Sequence, residues 1–301
     1  MSKSLLSSFA LMLLLPTTHA CLWVSGTTME GQRISVSGIS VARRLQQSLN
    51  MSAEAYAIDR NIALKGNTAL ERRNNTAVDM IYRGRISEAI EALKELEAEQ
   101  PGDYITAANL GTAYELAGKN EDALNWIKEA IRRNAGSHWG TEWLHVDILE
   151  AKLKAANDPE FFQAHSVLDL DHQQIRSINS EVLAGGERRR VLEIADALDY
   201  QLRERLRFVK SSDPGVASLL YDYAAIQAAT HSLESARELL KMARSFGYPE
   251  TRVEPLIEQF DHTIFVATLQ RWIFYGGIVV TLVALLIHSL RRRWIVLSRA
   301  S

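Results

Sequence analysis

Apolar residues recur at helical spacing through most of this chain. From Leu70, "LERRNNTAVDMIYRGRISEAIEALKELEAEQPGD" is followed by "YITAANLGTAYELAGKNEDALNWIKEAIRRNAGS", and each stretch reads as two amphipathic helices joined by a glycine-containing turn. The two align residue for residue, Gly84 with Gly118, Ala89 with Ala123, Leu93 with Ile127 and Pro101 with Ala135. A third helix, "WGTEWLHVDILEAKLKAA", keeps the register for half a unit, with Thr141, Leu144 and Ile148 at core positions, until Asn157, Asp158 and Pro159 break it. The following "PEFFQAHSVLDLDHQQIRS" predicts a loop, short helix or short extended segment, with Phe161 and Phe162 folded back on the preceding unit. Glu187 to Phe208 predicts one or two helices. A further two-helix unit, "ASLLYDYAAIQAATHSLESARELLKMARSFGYPE" (217–250), is ended by Gly247 and Pro249. Ahead of all this, "CLWVSGTTMEGQRISVSG" predicts one or two short strands or an extended arm, with helical material from Ser40 onward.

Near the C-terminus the periodicity gives way to a continuous apolar run. Trp272 to Leu290 contains no Asp, Glu, Lys or Arg, and as a helix it would extend about 29 Å, the thickness of a hydrocarbon layer. Trp272 and Tyr275 stand at one border, and Arg291, Arg292, Arg293 and Trp294 at the other, as a spanning helix requires. The basic cluster places the C-terminal tail (291–301) in the cytoplasm. At the other end, "MSKSLLSSFALMLLLPTTHA" has the layout of an export signal over residues 1–20. Cys21 follows it as the only cysteine, so no intrachain disulfide forms. A lipoprotein signal also ends before a cysteine, but Thr18 stands where such signals usually carry an aliphatic residue. The two ends agree on a single-pass protein of an inner (cytoplasmic) membrane, its body in the periplasm.

Two helices approach closely only where small side chains lie between their axes, so Gly111 and Ala123 mark the contact in the second unit, with Leu110, Tyr114 and Ile127 filling the space around it, and Ala130 holds a further small position of the repeated pattern. Ala224, Ala236 and Ala243 take the corresponding places in the third unit, where Gln227 replaces the aromatic. These small and aromatic positions resemble the tetratricopeptide repeat, in a membrane-anchored bacterial setting. The match is good at 104–137 and partial in the first unit, where Met80 and Leu96 depart from it. The resemblance covers residues 70–150 and 217–250. It implies an all-α solenoid of helical hairpins whose first helices line a groove for a protein or peptide ligand, with Tyr104, Asn109 and Glu142 as contact residues.

Charge and chemistry narrow the reading. Residues 21–270 hold 28 Lys and Arg against all 36 Asp and Glu, a balance that argues against nucleic-acid binding. His138, Glu142 and His145 would share a face if a single helix included all three, and could then offer two nitrogens and a carboxylate to a metal. The order is H-x-x-x-E-x-x-H, not H-E-x-x-H, and the flanking Trp139, Trp143 and Leu144 favour packing instead. His165, Asp169, Asp171 and His172 read as loop surface charge, and "LAGGERR" and "AGKNED" lack the phosphate-loop pattern. Arg188 to Arg190 with Arg203, Arg205 and Arg207 read as a salt-bridged, solvated face, with contact to anionic lipid headgroups or an acidic partner as the alternative. No catalytic residue, cofactor or metal is assigned.

The expected organisation is therefore a signal (1–20), an arm and leading helical segment (21–69), tandem repeats (70–160), an irregular connection (161–186), a helical region with a further unit (187–250), a juxtamembrane helix (251–271), a membrane span (272–290) and a basic tail. The expected function is a non-enzymatic adaptor or assembly factor. The alternative is an accessory subunit of an integral membrane complex, contacting it through the span, where Gly276 and Gly277 permit close helix approach.

Overall fold

A computed structural model describes residues 23–37, 39–170, 172–210 and 212–300. The expected signal, Cys21 and Asp171 lie outside them. Among the described residues the fold is all-α apart from two short hairpins. Several of its helices begin where a side-chain oxygen takes an otherwise unpaired backbone N–H. Thr68 caps α3 (Ala69–Tyr82), with Glu71 returning the bond to Thr68. Asp103 caps α5 (Tyr104–Leu116), Asp213 caps α10 (Pro214–Thr230) and Ser232 caps α11 (Leu233–Ser245).

α3 and α5 are the first helices of two hairpins completed by α4 (Ile86–Glu99) and α6 (Asn120–Arg133). The two connecting turns are bonded alike. Gly84 and Gly118 both have φ +75°. Beyond them the N–H of Arg85 donates to the carbonyl of Met80, and that of Lys119 to Tyr114, each at 2.9 Å. Only glycine takes this left-handed conformation without strain. α5 and α6 then meet at the small residues. A Cβ on Gly111 would lie 2.4 Å from Ile127 Cδ1, while Ala123, Ile127 and Ala130 are fully buried and Tyr114 is half-buried beside them. α10 and α11 repeat the arrangement with Ala224, Ala236 and Ala243 in the core. There Gln227, in the aromatic's place, accepts a hydrogen bond from Ser235 Oγ at 3.0 Å.

α7 (Glu142–Asn157) adds an unpaired first helix with Thr141, Leu144 and Ile148 buried. It leads to the one-turn α8 (Phe161–Ala164), where Phe162 is buried and Phe161 meets it edge-on. The next stretch corrects the sequence reading. Glu181–Ala184 and Glu187–Arg190 form an antiparallel hairpin, and a single helix, α9 (Val191–Phe208), starts only after it. Gly185 and Gly186, both at positive φ, supply the two central residues of the tight turn. The double glycine in "LAGGERR" is thus a hairpin signal.

The largest core lies where α9, α10 and α11 pack with α1 (Val41–Asn50), around Leu45, Leu198, Leu202, Leu219 and Leu240. The smaller α2 (Ala53–Arg60) precedes α3. The N-terminal arm is the hairpin β1 (Trp23–Thr27) and β2 (Arg33–Ser37), with Thr27 opposite Arg33. It is pinned to the start of α11 because Thr27 N and Oγ1 donate to the Glu234 carboxylate at 2.7 and 2.8 Å, as does Arg33 at 2.8 Å. The connection before the second hairpin is held from within. Ser166 Oγ and the N–H of Leu168 donate to the fully buried Asp222 carboxylate at 2.6 and 3.1 Å. The last helix, α12 (Glu250–Ala300), runs without interruption from the body through the apolar run. It is long and apolar enough to cross a membrane, and its apolar window is wholly exposed, unlike a core helix.

Two outcomes follow from this packing. Ala123→Leu should overpack the α5–α6 contact by about 1–3 kcal/mol, lowering the melting temperature of the protein by several degrees in a thermal scan. Burial pushes the Asp222 carboxyl up to about 7, with Ser166 and Leu168 pulling the other way. The folded state therefore holds this proton where the unfolded chain, at about 3.9, has released it. Stability should fall as pH rises from 4 to 7, and denaturation profiles of Asp222→Asn should be flatter over that window.

Candidate functional site

The first helices of the hairpins, α3, α5 and α7, share one side of the array, and α9 crosses it. Between them is a cavity of about 410 Å³. Val78, Ile81 and Tyr82 of α3, Asn109 and Glu115 of α5, and Glu142, His145 and Lys152 of α7 form one wall. Tyr200, Glu204, Arg205 and Phe208 of α9 form the other. One end is closed by Tyr82 stacked on Phe208, with ring centroids 4.9 Å apart.

The opposite part is a chain of alternating charges. His138 lies outside α7, in the turn 137–140, where it and Trp139 both have left-handed backbones. A single helix therefore does not carry the three residues together, and the turn does so instead. The left-handed backbone directs the His138 ring inward, where Nδ1 meets Glu142 Oε1 and the ring stacks on Tyr200, and it leaves Trp139 92% exposed. Glu142 Oε2 lies 3.4 Å from His145 Nδ1, and His145 Nε2 lies 2.7 Å from Glu115 Oε2. Glu115 then accepts from Lys152 at 2.7 Å and from Arg205 at 3.0 Å.

Each member sets its neighbour's charge. Burial raises the cost of ionising Glu115, but Arg205, Lys152 and His145 outweigh it and hold the carboxyl well below its usual range. Burial likewise opposes the charge on Glu142, and the two histidines override it. For His145, burial and Arg205 favour the neutral ring, yet the carboxylates of Glu115 and Glu142 win and raise its pKa. His145 is accordingly placed between two carboxylates, with Nε2 against Glu115 and Nδ1 facing Glu142. Among the described residues no group of three His, Cys, Asp or Glu is placed to hold a metal ion.

The sequence-assigned contact residues divide. Asn109 lines the cavity and donates to Asn74 Oδ1 at 3.1 Å, joining α5 to α3. Glu142 lines it too but is 3% exposed and engaged by two histidines. Tyr104, the first residue of α5, is half-buried and outside the cavity wall. Glu115, Lys152, Arg205 and Tyr200 were not singled out as site residues. Glu115 sits in "AYELAG" with nothing local to mark it, because its arginine partner comes from a helix far along the chain. His165 pairs with Asp169 at 2.9 Å on the surface, as the loop-charge reading expects.

No family model and no curated protein matches this chain. Among solved structures it is similar to a chain in the crystal structure of the APC/C hetero-tetramer Cut9-Hcn1, at 13% identity, with a TM-score of 0.31. The likeness covers 73% of this chain but only 39% of the other, and at that score it bears on neither function nor partner.

Removing the shared carboxylate tests the charge chain. Glu115→Gln leaves Lys152, Arg205 and His145 without their common partner and should cost about 3–5 kcal/mol in chemical denaturation. Because the folded pKa of His145 is raised, its contribution is complete below the unfolded value of about 6.5 and is lost as pH rises through the folded value. The stability gap between the wild type and His145→Asn should therefore be wider at pH 6 than at pH 9.

Proposed function

We propose that this protein is a non-enzymatic, membrane-anchored scaffold of the tetratricopeptide type that receives a peptide or helix of a protein partner beside α9. The observation that carries this reading is the partly open cavity on the shared side of α3, α5 and α7. Its ionisable groups neutralise one another and leave no activated base or nucleophile. Stacked hairpins offer such a surface without a catalytic centre. Asn109 is the central contact, Tyr104 extends it along α5, and Glu142 holds the cavity wall in shape. The body lies on the periplasmic side of an inner membrane and the C-terminal tail in the cytoplasm. The basic residues Arg291, Arg292 and Arg293 after the apolar run support this orientation.

A second reading, an accessory subunit recognised through its span, is favoured by one observation. Gly276 and Gly277 have no atom within 4 Å of where a Cβ would stand, so a partner helix can come close there.

A photo-crosslinking residue at Asn109 of the full-length protein in its own membrane should give a discrete adduct that the same residue at Lys128, on the outer helix α6, does not give. Exchanging 272–290 for an unrelated apolar helix should leave that adduct intact. Loss of the adduct with insertion preserved would favour recognition through the span, and equal labelling from both sites would overturn the groove reading.

A further inference from the structure

The juxtamembrane part of α12 presents two faces. Val253, Ile257, Phe260, Ile264 and Ala267 recur at helical spacing and pack on the body. A second line at the same spacing, Glu258, His262, Phe265, Leu269 and Trp272, faces away from it. This line changes character partway: Glu258 and His262 are exposed polar residues, whereas Phe265 and Leu269 are 64% and 46% exposed and lead directly into Trp272, at 73%. Among the described residues nothing covers the two apolar side chains.

We infer that Phe265 and Leu269 rest in the lipid headgroup layer, so that α12 leaves the bilayer leaning toward this face and carries the body on its other face. The inference rests on 272–290 being the membrane span. Three features of the structure argue for lipid as the occupant. The apolar line continues without a break into the exposed span. It also stops after two turns: Leu269 stands about 4–5 Å and Phe265 about 10 Å above Trp272 along the axis, so the first falls within an interfacial layer of about 5–8 Å and the second reaches its outer edge when the helix leans by about 40°. Finally, the polar residues beside it, Gln270 and Arg271, suit headgroups, and the Arg271 guanidinium lies 5.5 Å from the Tyr275 ring, within cation–π reach.

The helix is unbroken from Glu250 onward, so contact at this level sets the angle of the body to the membrane without a flexible stalk. The array would then project to one side of the anchor. That geometry brings one flank of the scaffold close to the bilayer, where the segments of membrane-bound partners emerge.

The test uses full-length protein in phosphatidylcholine nanodiscs, with Cys21→Ser as background and spin labels on single cysteines at Glu258, Phe265, Leu269 and Val280. Accessibility is measured to a water-soluble nickel complex and to oxygen, which partitions into lipid. Phe265→Cys and Leu269→Cys labels should be at least threefold less accessible to nickel than the Glu258→Cys label and more accessible to oxygen. Equal nickel accessibility at 258, 265 and 269 would overturn the inference. So would shielding of 265 and 269 from both reagents, which would mean that protein covers the stripe. The Val280→Cys label separates the two layers of the argument: if it is nickel-accessible, the span reading itself fails, whereas if only 265 and 269 are accessible, the span stands and the lean does not.

Discussion

The carboxylate of Glu115 joins parts of the chain that are distant in sequence. It sits on α5, in the second hairpin, and is met by His145 and Lys152 from α7 and by Arg205 from α9. A charge at 8% side-chain exposure is tolerable only if paired, and each of its partners has the same need. The pairing is therefore mutual. Because it joins α5 to two groups from α7 and one from α9, it helps to fix how α9 lies across the array, and with that the size and lining of the cavity.

The same constraint explains how the most suggestive residues in the sequence are engaged. Histidines beside glutamates in a pocket are the usual materials of acid–base catalysis. Here a second carboxylate stands on the far side of His145, so each ring nitrogen faces a carboxylate and the charged form of the ring is favoured. The site then acts as a fixed strip of alternating charge along one wall, with Tyr82, Phe208, Ile81 and Val78 supplying an apolar surface beside it. On the function proposed above, this partially apolar surface is what a peptide or helix of a partner would meet.

The helical hairpins and the anchor were legible because they depend on local periodicity. Gly84 and Gly118 marked the turns, Gly111 and Ala123 marked the close approach, and the uncharged run from Trp272 marked the exposed end of α12. Other features were only partly legible. The hairpin at Glu181–Arg190 was missed because its strands are four residues long and its outer strand is three arginines after a glutamate, a poor strand composition that a tight double-glycine turn makes workable. The three residues His138, Glu142 and His145 did converge, but through a left-handed turn that helical spacing does not describe.

What the sequence alone determined is whatever is encoded within about two turns of helix: which segments coil, which faces they bury, where they stop, and which stretch is apolar enough to leave water. Side-chain volume and backbone freedom act over that range. What only the tertiary structure decided is the placement of α9 and everything that follows from it, including the commitment of Glu142, the clamp on His145 and the cavity itself. Those depend on burial, because a buried charge must find its opposite wherever the fold brings one, and in this chain Glu115 finds Arg205 across ninety positions of sequence.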